Sequence, residues 1–565
     1  MRGFFKIVFG TITGIILLFL IALLVVVIVN PGKEEFKLKE NSIVEIPFKG
    51  SLNQAPADFF ELISMKESVS LNRLRKLLPE LSQSEKVKAL YLNMNNFGGG
   101  LAEAQELRSL LSDYRSNGGK IISFSEYYSQ LSYYVASVSD SIYVSRGGGV
   151  EWKGLSSQIM FFKETMEKLG VDMQIIRVGK FKSAVEPFML TEMSEANRKQ
   201  TQQLLDDIWG QMLEEISASR SVSIDSLNQM ADNISIISSQ DAKNKGMIDG
   251  IIYQADLKET LKEEYADVVD QSKVKVKAKS AYEKSIVAVL KAEGEIVDGQ
   301  GEMNQIGGDR LIKQINKLAK DTTISAVVLY VNSPGGSALA SDNIYNALKK
   351  LKKKKKLVTF MSNYAASGGY YIAANSDSIF AMENTVTGSI GVFGMMPNAK
   401  ELMEDKLGLH VSIVKTNEHA QMGTIFNPLS DFEQKRVQVS VDTIYSRFLN
   451  IVANGRGMSR PEVEIIAEGR VWSGKSALDI GLVDKLGDLD DAIASAAGLA
   501  ELDDYVVRTY PEEKSKQEKI LELVQGNQIK ESLVPRALQP VVNLLNGWET
   551  RQGVIARSEY LIHIE

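Results

Sequence analysis

The chain has 565 residues, 44% of them hydrophobic and 24% charged, which gives room for three to four domains at ~150 residues each and excludes a disordered or collagenous protein. A net charge of −6 supplies no basic field, so no nucleic-acid partner is expected. With no cysteine, thiolate chemistry and disulfides are excluded, and with only His410, His419 and His563 neither a His-rich metal site nor a cofactor is expected.

In chain order, residues 7–29 come first, an uncharged run rich in Ile, Leu, Val and Phe. As a helix it spans ~30 Å, the thickness of a bilayer's hydrocarbon. Arg2 and Lys6 precede it, which predicts a cytoplasmic N-terminus with the rest of the chain across the membrane. The run is too long for a signal-peptide core, and Val25 to Gly32 offers no A-x-A cleavage site. Residues 1–30 are therefore expected to form a retained single-pass anchor that contacts lipid through 7–29. A polar stalk follows over 31–40.

The remainder repeats itself. Asn41-Ser-Ile-Val-Glu-Ile46 echoes Lys284-Ser-Ile-Val-Ala-Val289, and Ala89-Leu-Tyr-Leu-Asn93 echoes Val328-Leu-Tyr-Val-Asn332, each of the latter two with a Gly pair beyond it. Tyr133-Tyr-Val-Ala136 echoes Tyr370-Tyr-Ile-Ala373, and Gly246-Met-Ile-Asp249 echoes Gly481-Leu-Val-Asp484. These matches predict two homologous halves, 41–270 and 285–500, with a linker at 271–284 and a charged tail over 501–565. Short apolar runs such as Ala326 to Val331 alternate with helical periods such as Ser341 to Leu348. That alternation predicts βαβ units and an α/β fold in each half.

The halves differ where chemistry could lie. The second half has Tyr364-Ala-Ala-Ser367-Gly368-Gly369-Tyr370, and in the first half the position of Ser367 is held by Gln130. Ser367 reads either as a nucleophile on a tight turn entering a helix or as an ordinary N-cap serine. Asn332-Ser-Pro-Gly335-Gly336-Ser337 follows a strand-like run and reads either as a turn that exposes amide N–H groups or as a simple connection. In the first half, Lys180-Phe-Lys182-Ser-Ala-Val-Glu186-Pro-Phe188 stands opposite a stretch holding His419 and Ala420. One half keeps a serine without the lysine, and the other keeps the lysine without the serine. Spacing does not separate Lys182 from Lys180, and His419 is a rival base. The seven lysines of Lys349 to Lys356 read as a solvated helix end or as a patch for anionic lipid.

Taken together, the Ser-Pro-Gly-Gly turn, the Tyr-Ala-Ala-Ser-Gly-Gly-Tyr segment, Thr387-Gly-Ser389-Ile-Gly391 and the Lys-Ser-Ala-Val-Glu-Pro-Phe segment resemble the signal peptide peptidase A family in its long, duplicated bacterial form. The resemblance implies two tandem Clp-protease/crotonase-like domains and a Ser/Lys dyad, with Ser367 as nucleophile and Lys182 as general base. It implies Ser389 as the hydroxyl that orients the lysine, and Gly336 and Gly368 as oxyanion donors. It also implies a homotetramer at the inner membrane, with periplasmic catalytic domains that degrade cleaved signal peptides and other short apolar peptides. Glu186 is expected to point away from Lys182, because a carboxylate nearby would keep the amine charged. The alternatives are a crotonase-like acyl-CoA enzyme and a catalytically silent membrane scaffold.

Overall fold

The computed structural model describes residues 14, 38–48, 50–52, 69–276, 285–302, 304–511 and 554–557. The anchor expected over 7–29 lies outside these, Gly14 apart. Among the described residues no helix is long and apolar enough to cross a membrane.

The first half carries a six-stranded parallel sheet, and the second an eight-stranded one in which six parallel strands repeat that order while Val386–Gly388 and Val471–Ser473 branch from the strand Lys356–Ala366, the last of them antiparallel. In the first, the order is Gly250–Ile251, Ser141–Val144, Lys120–Ser125, Val87–Asn93, Ser42–Pro47 and Asp267–Asp270. In the second, it is Lys485–Leu486, Ser378–Ala381, Lys356–Ala366, Ile324–Ser333, Ser285–Glu293 and Tyr505–Tyr510. The two orders match strand for strand, so the second sheet runs past residue 500 to Tyr510. The match extends to single hydrogen bonds. Tyr133 and Tyr370 each donate a phenol to a carbonyl 2.8 Å away, on Met247 and Leu482. Asp249 accepts from the N–H of Ile142, and Asp484 from that of Ile379.

The central strands are apolar on both faces because helices cover both. Along Ile324–Ser333, Val327, Leu329 and Val331 enter one core, while Ala326, Val328 and Tyr330 enter the other. The helix Ala338–Lys352 extends the period read over 341–348, with Ser337 as its N-cap. The lysine run then leaves the helix. Lys352 reaches Asn375 O and Asp377, and Lys355 reaches the carbonyls of Asp321 and Ile324.

A third, mixed sheet ties the halves together. Its order is Gln305–Gly307, Glu295–Val297, Gly335–Ser337, Val554–Arg557, Val392–Asn398 and Asp172–Val178. Asp172–Val178 comes from the first half and runs antiparallel to Val392–Asn398, with Val178 opposite Val392. Polar contacts add to this seam. Gln105 Nε2 donates to Glu383 at 2.9 Å and its carbonyl accepts from Asn384 N at 3.1 Å. Asp207 accepts from the hydroxyls of Ser473 and Ser476.

Candidate active site

The strand Lys356–Ala366 ends directly at Ser367, and the helix Gly368–Ala373 begins with the next residue. Ser367 has φ 55 and ψ −114, a conformation that side chains rarely adopt and that costs ~1–3 kcal/mol. Backbone bonds hold it there. Its N–H donates to Gly388 O at 2.8 Å, and its carbonyl accepts from Tyr371 N at 2.9 Å. Gly369 allows the tight entry, since a Cβ there would lie 2.7 Å from Ser333 O. Although Ser367 occupies the cap position, its side chain makes no capping bond. The hydroxyl instead lies 2.8 Å from Lys182 Nζ.

Lys182 arrives from the other half. The strand Asp172–Val178 delivers it beside Ser389 through a turn at Gly179, whose φ is +100. Its side chain is 1% exposed, and Nζ lies 3.0 Å from Ser389 Oγ and 3.2 Å from Ser389 O. Lys180 points elsewhere, 66% exposed and 3.6 Å from Glu468. Glu186 is buried and its carboxylate is engaged by Ser194, Asn197 and Arg177. The His419 ring stacks on Phe432, with Nδ1 3.0 Å from the Glu433 carboxylate. Gln130, the first-half counterpart of Ser367, uses its amide on the backbone of Lys153 and Gly154.

The two glycines of the turn after Ile324–Ser333 also have steric causes. Gly336 has φ +151, and a Cβ there would lie 2.0 Å from Ile296 O. Gly335 has φ +101 and donates to Ser333 Oγ at 3.2 Å. Gly368 is the first residue of its helix, where N–H groups have no partner within the helix.

Sequence reasoning missed the loop Glu468-Gly469-Arg470, which stitches the site. Glu468 O accepts from Phe181 N at 2.9 Å, Gly469 N donates to Ile390 O at 2.8 Å, and Arg470 O accepts from Ser389 N at 2.7 Å. A Cβ on Gly469 would lie 2.6 Å from Lys182 Cβ. It also missed Gln200, which is 1% exposed and bridges the halves. Its amide donates to Phe181 O and Ser183 Oγ, and its carbonyl accepts from Val471 N. No motif marks either feature in the sequence.

A buried lysine beside a strained serine at the end of a parallel strand is a constellation suited to acyl transfer. The profile of peptidase family S49 matches residues 114–268 and again 349–503, and a Clp protease profile matches 278–387. The chain belongs to peptidase family S49, which makes it a serine protease by class, with the family domain present twice on an α/β Clp-protease-like fold. Among its relatives is "Protease 4" of Haemophilus influenzae, 33% identical over 75% of this chain and 72% of that protein. "Protease 4" of Salmonella typhi is 31% identical over 84% and 78%. "Serine protease SPPA, chloroplastic" of Arabidopsis thaliana is 26% identical over 82% and 70%.

Proposed function

We propose that the chain is a membrane-anchored endopeptidase with a Ser367/Lys182 dyad, and that it degrades cleaved signal peptides and other short apolar peptides. The observation that carries the reading is the 2.8 Å contact between Lys182 Nζ and Ser367 Oγ, made across two halves of the chain. A serine hydroxyl needs an adjacent base to become a nucleophile. A lysine serves as that base only when neutral, and its ordinary pKa of ~10.4 must fall for this. Withdrawal from water is a general cause of such a fall. Ser389 holds the amine toward Ser367.

In the first step the Ser367 proton passes to the lysine amine while Oγ bonds to the scissile carbonyl carbon. The carbonyl oxygen becomes an oxyanion facing the N–H groups of Gly336 and Gly368, donors of a kind worth ~10²–10³ in rate each. The lysine then gives its proton to the departing amine, leaving an acyl-enzyme. Water, activated by the same lysine, attacks the acyl carbon and restores the serine. The anchor over 7–29 keeps this site beside the inner membrane on its periplasmic face, where spent signal peptides leave the bilayer. Leu407, Leu409, Val414 and Met422 are exposed, and a homotetramer provides cover for such apolar surface.

Hydrolysis of a fluorogenic apolar peptide by the full chain in detergent tests this. Ser367→Ala and Lys182→Ala each lose at least ~10³-fold in kcat/KM, because members of a catalytic unit fail together. Lys180→Ala and His419→Ala keep wild-type turnover. An active Lys182→Ala protein beside an inactive His419→Ala protein sinks the dyad.

A further inference from the structure

Lys182 is held by more than its contacts with the two serines. Arg177 stands near the end of the strand Asp172–Val178, opposite Phe393, and its Nη1 donates to Lys182 O at 3.1 Å. The same Nη1 lies 3.6 Å from Glu186 Oε1. Glu186 opens the short helix Glu186–Met189, and its side chain is 0% exposed. Its carboxylate also accepts from the Ser194 hydroxyl at 2.6 Å, the Ser194 N–H at 3.2 Å and the Asn197 amide at 3.0 Å. Ser194 caps the helix Glu195–Arg220, so the acid ties the lysine's segment to a helix N-terminus, where negative charge is favoured. Base, guanidinium and acid form one chain of contacts, of which the chemistry uses only the first member.

A buried acid beside a lysine base needs an explanation. A carboxylate near an amine favours the ammonium, and a cation near it does the opposite. By the reach of a lysine side chain, the guanidinium on Lys182 O lies within ~10 Å of Nζ, and the acid within a few ångströms more. At that range and an effective dielectric of ~20, one uncancelled charge changes the neutral fraction of an amine about tenfold. The other charged groups around the lysine are matched or exposed. Lys180 and Glu468 are exposed and lie 3.6 Å apart. Arg470 stacks on Phe181 and Trp472, with Asp207 offsetting part of its charge. The Tyr445 hydroxyl accepts from Glu468 N. Among these partners only Glu186 is fully buried.

We infer that Arg177 and Glu186 are a positioning pair for the base: the arginine fixes the Lys182 carbonyl and cancels the charge of the buried acid, and the acid anchors that arginine to the helix Glu195–Arg220. The inference rests on Lys182 being the base. Its signature is electrostatic and signed. Without the arginine, the buried carboxylate is left uncancelled and favours the ammonium. Without the acid, the guanidinium is left uncancelled and favours the neutral amine. With both gone, the two effects disappear together.

The acid limb of kcat/KM for a fluorogenic apolar peptide, measured on the full chain in detergent, reads this pair, because turnover rises with pH as the base loses its proton. In Arg177→Met the limb is expected to move up by about one pH unit, and in Glu186→Gln down by about one. The double variant returns it close to wild type. Arg177→Lys keeps the charge and shortens the reach, so its limb stays in place while kcat on the alkaline plateau falls about tenfold. Limbs that stay fixed, or that move the same way in both single variants, overturn the inference. A purely structural role lowers the melting temperature and the plateau without moving the limb in opposite directions. Should Arg177→Met fail to fold, Glu186→Gln and Arg177→Lys still decide it, the first by a limb that moves down and the second by one that does not move. Lys182→Ala separates this inference from the dyad it rests on. An inert Lys182→Ala protein beside fixed limbs sinks the pair alone, and an active one sinks the dyad and the pair with it.

Discussion

Ser367, Ser389 and Glu468 hold φ values of 55, 51 and 53. Each costs ~1–3 kcal/mol, and such strain persists only where surrounding structure imposes it. All three converge on Lys182: Ser367 and Ser389 through its Nζ, and Glu468 through the backbone of Phe181. Gly469 completes the mould, because any side chain there meets Lys182 Cβ. Gly469→Ala is expected to lower kcat about 10²-fold, the scale of a 1 Å misplacement, while circular dichroism shows an intact fold. Ser389→Ala, which removes the hydroxyl proposed to orient Lys182 and keeps the backbone carbonyl, is expected to lower kcat about ten- to a hundredfold. Ser367 stood out in the sequence through the asymmetry between the halves, whereas Lys182 was separated from Lys180, and Ser389 found, only through the family resemblance. Gly469 could not be picked out at all, because what forbids its side chain is a lysine from the other half.

At the scale of single elements, the buried strands and amphipathic helices were readable because their periodicity reflects burial on one face or two. The third sheet was not. Three of its strands are only three residues long and its members come from distant parts of the chain, so the short ones have no period to detect and nothing in the sequence joins them. His419 shows a related limit. Its carboxylate partner is Glu433, which also closes the capping box of the helix Asp431–Arg456 with Ser430. The Ser430 N–H holds the Glu433 carboxyl below its ordinary value, with further help from the Ser430 hydroxyl and His419. A depressed carboxyl contributes stability that is present above its unfolded pKa of ~4.3 and lost as pH falls through the folded value. Glu433→Gln should therefore be less stable than wild type at pH 7, and the difference should close below about pH 4. Urea midpoints at both pH values measure this, and an equal deficit at both contradicts it.

Across the whole molecule, the sequence echoes did announce two related halves. How those halves meet was hidden, since a polar seam is spread over unrelated positions. Gln200 lies on this seam beside the candidate site, reaching Phe181 and Ser183 on one side and Val471 on the other. Gln200→Ala leaves a buried N–H of Val471 without this acceptor, at ~1–3 kcal/mol. The expected result is a lowered melting temperature together with a reduced kcat and a steady KM. A fall in melting temperature with wild-type kcat would show that the seam supports the fold and not the placement of Lys182.

The division of the proposed dyad between halves would also set an order in time. Chains are made from the N-terminus at ~5–20 residues per second, so Lys182 is produced well before Ser367 and Ser389. A half-made chain holds an amine with nothing to activate, and a fragment holding only the second half has an alcohol with no base. Cutting power arrives in one step, when the second half docks on the first. A protease built this way needs no removable pro-segment to stay harmless during its own synthesis.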